Sequence, residues 1–276
     1  MFGSEFRSTF RAPAHPPDAR SSVTAGGRRV ALLANGRRHG PITRLITPWD
    51  IGELTRPFVL LNYAEVARRS RPLFGIHAPS SIRTLTFVLN GKLSFEDETG
   101  KRGELAAAGF AWMKSGSVIW HEGEDAASEP LRVFHLWVGQ PVAQAERAAT
   151  SEYIAPGEVA EDGPVRALLG EFGRARSRIR QAPADLNFLH VRLKDREDFR
   201  YAAPDGHNVT WLAVDRGGLQ LQEGARVLWE QVAVFGDSAG VIEVQADGET
   251  SFVLGSARCL TREDTRRSFS RNSAPG

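Results

Sequence analysis

Short β-rich runs separated by turn residues constrain the fold of this chain more than any other feature. From Val30 onward such runs recur with glycine, proline or asparagine between them. This punctuation is typical of a sandwich or a barrel, and it argues against alternating βαβ units. The sequence therefore predicts an all-β fold.

The clearest pair of runs in the first half flanks Asn90-Gly91. This dipeptide tolerates positive φ and suits a type I′ turn, so Ile82–Leu89 and Lys92–Asp97 are predicted to form a hairpin. Three more runs of this half are predicted strands: Phe110–Met113, Val118–His121 and Leu131–Val138.

A second series of runs echoes the first. TFVLNGKLSF resembles WLAVDRGGLQLQ, and GSVIWH resembles GVIEVQ. A duplicated β-barrel domain explains this similarity. The predicted strands of the second half are Leu186–Leu193, Val209–Val214, Leu219–Gln222, Val227–Phe235, Val241–Gln245 and Ser251–Gly255.

The segment 141–170 separates the two series. Alanine, glutamate and arginine dominate its first part, and VRALLGEF has an amphipathic pattern, so a short helical connection is predicted. We expect an N-terminal barrel at 29–145 and a C-terminal barrel at 146–260. Both ends are rich in arginine with serine, proline or glycine, which predicts a disordered arm at 1–28 and a mobile tail at 261–276.

Composition narrows the partners and the compartment. The net charge of +2 is small for 276 residues, so the sequence pI of 8.9 does not indicate a nucleic-acid binder. The single Cys259 excludes an intramolecular disulfide and zinc-finger spacing. The first twenty residues lack the apolar segment of a secretory signal, and the apolar runs are far shorter than the roughly 20 residues that cross a bilayer. These features predict a cytoplasmic protein with no membrane or nucleic-acid partner.

Several motifs resemble the pirin family of bicupins. They are FGIH at 74–77, TLTFVLNGKLSFEDETGKRGEL at 84–105, WMKSGSVIWHE at 112–122, EPLRVFHLWV at 129–138 and LLGEFGRARSRI at 168–179. The resemblance spans about Thr43 to Gly255. It implies two cupin barrels in tandem, each a jelly-roll-like double-stranded β-helix.

The resemblance also implies a metal site in the N-terminal barrel, where the family uses three histidines and a glutamate around a divalent, iron-like ion. His77 matches the first histidine and His121 the third. Pro79 stands at the second histidine and Gly123 at the glutamate, so two of the four positions lack a donor side chain. The candidate additions to His77 and His121 are Glu122 and His135.

Arg83 stands where the family has a further glutamate beyond the histidine pair. Period-2 alternation puts Arg83 on one strand face with Leu85, Phe87 and Leu89, a face suited to the barrel interior. A guanidinium there would repel a metal ion by several kcal/mol and would favour an anion or a carbonyl-bearing ligand. The sequence leaves open a second orientation, in which local twist turns Arg83 to solvent.

Together these residues predict a pocket in the N-terminal barrel. Its expected lining is His77, Arg83, Trp112, Trp120 and His121, and the two tryptophans are placed to stack on a flat ligand. In the second barrel, Val244 falls at the echo of His121, so that barrel is expected to be structural.

Three functions remain open at this point. The first is a pirin-like bicupin with a degenerate metal site that binds a small molecule or a protein partner and holds no tightly bound cofactor. The second is a metal-dependent dioxygenase of the quercetinase type, with one divalent iron, nickel or manganese ion. The third is a redox-linked regulatory protein that acts through protein contacts. The missing ligands favour the first.

Overall fold

The structure is a computed structural model, and it describes residues 27–66, 74–97, 100–122, 130–140, 150–180, 183, 185–222, 224–238 and 240–260. Side chains at 74–80 and 115–122 fall outside the description. Short 3₁₀ turns cover Ile51–Glu53 and Pro156–Glu158. The strands of the described residues are β1 Val30–Asn35, β2 Arg37–His39, β3 Ile42–Ile46, β4 Phe58–Val66, β5 Phe74–Asn90, β6 Lys92–Asp97, β7 Arg102–Ala106, β8 Phe110–Glu122, β9 Leu131–Gly139, β10 Thr150–Ile154, β11 Ala160–Asp162, β12 Val165–Leu169, β13 Glu171–Phe172, β14 Ala175–Arg176, β15 Leu186–Leu193, β16 Asp198–Tyr201, β17 Val209–Leu221, β18 Arg226–Leu228, β19 Gln231–Phe235 and β20 Ile242–Ala257.

The strands form two large antiparallel sheets, which confirms the all-β prediction. The first sheet has the order β2-β3-β4-β9-β5-β8-β6-β7, with β10 paired to β8. The second has the order β1-β19-β17-β20-β15-β12-β11, with β16 on β20 and β18 on β17. Each sheet with the residues packed on it is called the first or the second unit below.

The predicted Asn90-Gly91 hairpin is wrong. Gly91 has a φ of +81°, as a turn there requires, but β5 and β6 are not neighbours in the sheet. Instead β8 pairs with β5 over one part of its length and with β6 over the other. The long-range pairing with β8 therefore overrides the local hairpin signal.

Long strands also replace several predicted short ones. Val209–Val214 and Leu219–Gln222 join into β17 through irregular pairing with β20 around Arg216 and Gly218. Gly217 lies between them with a φ of +75°, and a Cβ there would approach the Glu249 carbonyl oxygen to 2.5 Å, so only glycine fits the bend.

Two strands cross the predicted domain boundary. β1 pairs with β19 in the second sheet, although its residues fall within the predicted N-terminal barrel. β10 pairs with β8 in the first sheet, although its residues follow residue 146. The two units therefore exchange strands, and a single cut near residue 146 does not separate them.

The arm and the connection also differ from expectation. Arg28, the last residue of the predicted disordered arm, is buried, and its guanidinium donates from Nε to the Gly236 carbonyl at 2.7 Å, so the prediction is wrong for this residue. The VRALL part of the predicted helix is strand β12, because Val165, Ala167 and Leu169 bury against the second unit. Residues 141–149, 1–26 and 261–276 lie outside the described residues. Within the described ranges, no helix has the length and apolar character to cross a membrane.

Three apolar clusters hold the units together. The inner cluster lies in the first unit and includes Ile82, Val88, Leu93 and Leu105 from β5, β6 and β7. A second cluster fills the second unit and includes Val244. The shared cluster joins both units and takes its residues from β4, β5, β8 and β9 of the first sheet together with β15, β17 and β20 of the second.

Trp211 lies at the centre of the shared cluster. Its side chain is fully buried, and its ring meets Phe58 edge-on at 5.2 Å and Phe188 at 6.0 Å between centroids. Because Phe58 belongs to the first sheet and Phe188 to the second, the indole packs between the two units. Gly255, opposite Trp211 on β20, leaves the space that the ring occupies.

This packing predicts that Gly255→Ala destabilises the protein. The new methyl group would overlap the Trp211 ring, and overpacking of this kind costs about 1–3 kcal/mol. Urea denaturation of both proteins gives the change in the free energy of unfolding. Gly157→Ala is the matched control, because a Cβ there meets nothing within 4 Å, and it should stay within about 0.5 kcal/mol of the parent. Equal midpoints for the two variants would contradict the packing argument.

Candidate functional site

The predicted site residues lie on β5 and β8, which are neighbours in the first sheet. His77 on β5 pairs with Ser117, and Trp120 on β8 pairs with Phe74 on one side and Phe95 on the other. His121 pairs with Ser94 on β6. The side chains of His77, Trp120, His121 and Glu122 fall outside the description, so their convergence on one pocket stays a prediction.

The pairing of β5 is interrupted where the second histidine of the family would stand. Ala78 pairs with Gly116 and Arg83 with Lys114, so residues 79–82 of β5 face only Ser115 of β8. Pro79 opens this stretch, and proline has no N–H to donate to a ladder. Pro79 therefore lacks the imidazole of the family and also accounts for the irregular pairing of β5 with β8 at this point.

Arg83 does not point where the sequence suggested. It shares a strand face with Leu85 and Phe87, as predicted, but both belong to the shared cluster. The inner face of β5 carries Ile82 and Val88 instead. Arg83 is 4% exposed, so its side chain does not point to solvent. It does not point into the barrel interior either, because it lies on the face turned toward the second unit.

Trp112 lies on the same outer face. It pairs with Leu85, is buried in the shared cluster, and its ring centroid lies 5.8 Å from the Arg83 guanidinium carbon, a cation–π distance. Arg83 and Trp112 were predicted to line the inner pocket. Both instead lie on the outer face of the first sheet, toward the second unit. The repulsion between Arg83 and a metal in the inner pocket loses its geometric basis.

His135 lies on the inner face, where both ring nitrogens are engaged. Nδ1 lies 2.9 Å from the Thr86 hydroxyl oxygen, and Nε2 lies 2.7 Å from Trp137 Nε1. Because indole N–H only donates, Nε2 accepts, and Nδ1 carries the proton and donates to Thr86. His135 would have to give up the Trp137 bond to bind a metal, which weighs against it as the predicted additional ligand.

Burial lowers the pKa of His135 from 6.5 to about 3. The imidazole is therefore neutral at physiological pH. Its hydrogen bonds to Thr86 and Trp137, together with Thr84 beside them, give the inner face a polar patch among apolar residues.

Among the residues whose side chains the structure describes, no group of three or more His, Cys, Asp or Glu side chains could hold a metal ion. His77 and His121 are not among those residues. In the second unit Val244 is buried in the apolar cluster, consistent with the structural role expected of that unit.

Sequence reasoning missed a polar group at the junction of the units. Asp215, His190 and Ser251 line a cleft between the two sheets, and Arg132 of β9 approaches Asp215 Oδ2 to 3.9 Å. Burial raises the pKa of Asp215 to about 7, although Ser251 and Arg132 oppose the rise. A signal was present, because Asp215 directly follows the run VTWLAV inside what is one long strand.

Comparison with known proteins assigns the first unit. A family model described as pirin matches residues 42–138, which cover β3 to β9 and all the predicted site residues. A pirin-like protein of Caulobacter vibrioides is 32% identical over 88 residues, which are 31% of this chain and 32% of the relative. Residues 42–138 are therefore similar to a pirin domain.

Solved structures are similar to the chain in the fold of both units. A quercetin 2,3-dioxygenase from Acinetobacter baumannii has a TM-score of 0.75 at 18% identity, covering 84% of this chain and 88% of its own. A bacterial pirin from Escherichia coli, solved in complex with nickel(II), has a TM-score of 0.62 at 16% identity. The match covers 83% of this chain and 100% of that pirin. At these identities the similarity shows the fold, which confirms the predicted bicupin architecture.

A curated relative covers most of the chain as well. A Pseudomonas aeruginosa protein named "Putative quercetin 2,3-dioxygenase" is 25% identical over 256 residues, which are 84% of this chain and 87% of the relative.

The lowered pKa of His135 predicts a pH-dependent stability. Between about pH 6.5 and 3 the unfolded chain binds a proton that the native state excludes, so the free energy of unfolding falls as the pH falls through this window. His135→Gln should flatten that slope by up to about 1.4 kcal/mol per pH unit, the limit for one proton. Urea denaturation at a series of pH values measures it.

The control for this prediction is His39→Gln, because His39 is exposed at the end of β2. Its slope should follow that of the parent protein. If His135→Gln also follows the parent slope, the imidazole is not held neutral and the assigned hydrogen bonds are wrong.

Proposed function

We propose that this chain is a binding protein whose N-terminal unit takes a small molecule without a tightly bound metal. One observation carries the proposal: Pro79 and Gly123 stand at two of the four ligand positions that the family resemblance implies, and neither side chain has a donor atom. A transition ion in a protein is usually held by three or four imidazole, thiolate or carboxylate ligands. Two imidazoles fall short of that number.

The described surroundings of the site support the same conclusion. His135 is the nearest candidate for a third imidazole, and its Nε2 lone pair is used by Trp137. Glu122 stands next to His121 in the sequence and remains a predicted oxygen donor. The residues present do not fit the family's four-ligand cage, so no step of the proposed function depends on a metal.

The inner face suggests the class of ligand. Thr84, Thr86, His135 and Trp137 give it hydroxyl, imidazole and indole groups in otherwise apolar surroundings. Such a mixture suits a small, flat molecule with polar edges, since pockets of this kind combine apolar walls with a few orienting polar groups. The predictions of a cytoplasmic location and of a protein partner stay open beside this one.

A second candidate function is a dioxygenase of the quercetinase type. The names of the Pseudomonas aeruginosa relative and of the Acinetobacter baumannii structure favour it. In that case His77, His121 and Glu122 would have to hold one divalent iron, nickel or manganese ion. The bound metal would supply Lewis-acid activation of the substrate.

Metal analysis decides between the two functions. The purified protein, incubated with iron, nickel or manganese and then dialysed, should retain far less than one equivalent. The matched variant Pro79→His/Gly123→Glu restores the implied ligand set of four, and it should retain about one equivalent under the same conditions. One equivalent on the parent protein that His121→Ala removes would overturn the metal-free proposal.

Oxygen consumption tests the chemistry separately. With metal added, the parent protein should consume no oxygen in the presence of a flavonol such as quercetin, because an ion held by two imidazoles is not retained through turnover. An oxygen electrode measures the rate, and His121→Ala gives the background. Flavonol-dependent uptake by the parent above that background would establish the dioxygenase instead.

A further inference from the structure

The cleft between the two units has the size and position of a ligand site. Its volume is about 790 Å³, within the roughly 300–1,000 Å³ of small-molecule sites. Leu89, Asn90 and Arg132 line it from the first unit. The second unit supplies residues of β15, β17 and β20. None of these residues belongs to the metal position of the N-terminal unit.

The floor of the cleft is polar and buried. Asp215 is 4% exposed and His190 is 3% exposed, and both line the cleft. His190 Nε2 lies 2.9 Å from the Ser251 hydroxyl oxygen, and its ring packs on Phe87 of the first unit at 4.8 Å. The three polar groups therefore meet where the two units join.

Two buried polar atoms of this floor have unused hydrogen-bonding capacity among the described residues. Asp215 Oδ1 and His190 Nδ1 make no hydrogen bond to any group in the part of the chain that the structure describes. An unsatisfied buried polar group costs about 1–3 kcal/mol. A ligand hydroxyl would relieve that cost at Asp215, because it can donate to a carboxylate oxygen.

Arginines surround the mouth above this floor. The cleft is lined by Arg132, Arg166 and Arg192. Burial lowers the pKa of His190 to about 3, and the positive charges of these three arginines contribute to the lowering. Glu161 pairs with Arg166 at 2.5 Å, whereas Arg192 is exposed. Glu161, Glu197 and Glu249 line the cleft as well. An anion is therefore favoured only beside the guanidinium groups of Arg132 and Arg192, which can bind a carboxylate with planar, bidentate geometry.

The floor is not arranged for nucleophilic catalysis. In a Ser-His-Asp triad the acid orients the imidazole through its second nitrogen. Here His190 Nδ1 has no such partner among the described residues, and Asp215 lies beside Ser251 and Arg132. An imidazole with a pKa of about 3 is also a weak base. The arrangement suits binding.

We propose that the cleft between the units is a second ligand site, which binds a small hydroxycarboxylate with its carboxylate on Arg132 and Arg192 and its hydroxyl on Asp215. The guanidinium groups supply the charge complement, and the buried oxygen supplies an acceptor for the hydroxyl. This site is independent of the metal and of the ligand of the N-terminal unit.

Asp215 couples this binding to protons. An incoming carboxylate competes with Asp215 for Arg132, so binding is stronger when Asp215 is neutral. Because burial raises the pKa of Asp215 to about 7, affinity should fall as the pH rises through that value. The charges of Arg132 of β9 and Arg192 of β15 act on Asp215, and Asp215 acts on Tyr63 of β4. The other charged or titratable groups of these strands that line the cleft with Asp215 are His190 of β15, Arg216 of β17 and Glu249 of β20.

Calorimetric titration of the full chain with malate tests the proposal. Malate should bind, and succinate, which lacks only the hydroxyl, should bind roughly tenfold or more weakly. Arg192→Gln should weaken malate binding by roughly tenfold or more. Arg192 is exposed, so its loss should not impair folding. The control is Arg200→Gln, an exposed arginine of β16 paired with Glu243 outside the cleft, which should leave binding unchanged.

Asp215→Asn tests the proton coupling. The parent should bind malate more weakly at about pH 8 than at about pH 6, while the variant should bind equally at both. Absence of malate binding would overturn the proposal, as would binding that Arg192→Gln leaves unchanged. Equal affinities for malate and succinate, or inorganic phosphate binding as tightly as malate, would overturn the assigned ligand class. Metal content, which tests the N-terminal site, bears on none of these outcomes.

Discussion

The contact of the two sheets through Trp211 decides what most other residues of the molecule can do. Its indole packs on Phe58 of the first unit and Phe188 of the second, and the shared cluster spreads outward from it. Because one face of the first sheet is covered by the second unit, side chains on that face are buried without facing the barrel interior. Arg83 and Trp112 are buried in this way.

Local patterns predicted the strands well and their partners poorly. The run Leu186–Leu193 is β15 as predicted, because its β-branched and aromatic residues bury in a sheet whatever its neighbours are. The Asn90-Gly91 turn is real, yet β8 lies between the strands that flank it. Strand exchange by β1 and β10 left no local signal, because pairing across the chain depends on the packing of whole units.

At the site, too, the sequence predicted which residues share a strand face better than it predicted what that face contacts. Alternation correctly grouped Arg83 with Leu85 and Phe87, but it could not tell the inner face from the face that meets the second unit, since both are apolar. The family resemblance located the missing ligands at Pro79 and Gly123, which no periodicity would reveal. Sequence reasoning missed Asp215, which directly follows a mainly apolar run, because only the contact between the units gives that carboxylate its surroundings.

The construction of the interface bears on how well the cleft could bind. Its walls come from two units that share a core and exchange strands, so they are held in place before any ligand arrives. A ligand that enters a preorganised site loses less free energy to ordering the protein. Burial of Asp215 and His190 without full hydrogen bonding lowers the stability of the free protein. A ligand that makes hydrogen bonds to those atoms removes this cost, and the free energy regained adds to the free energy of binding.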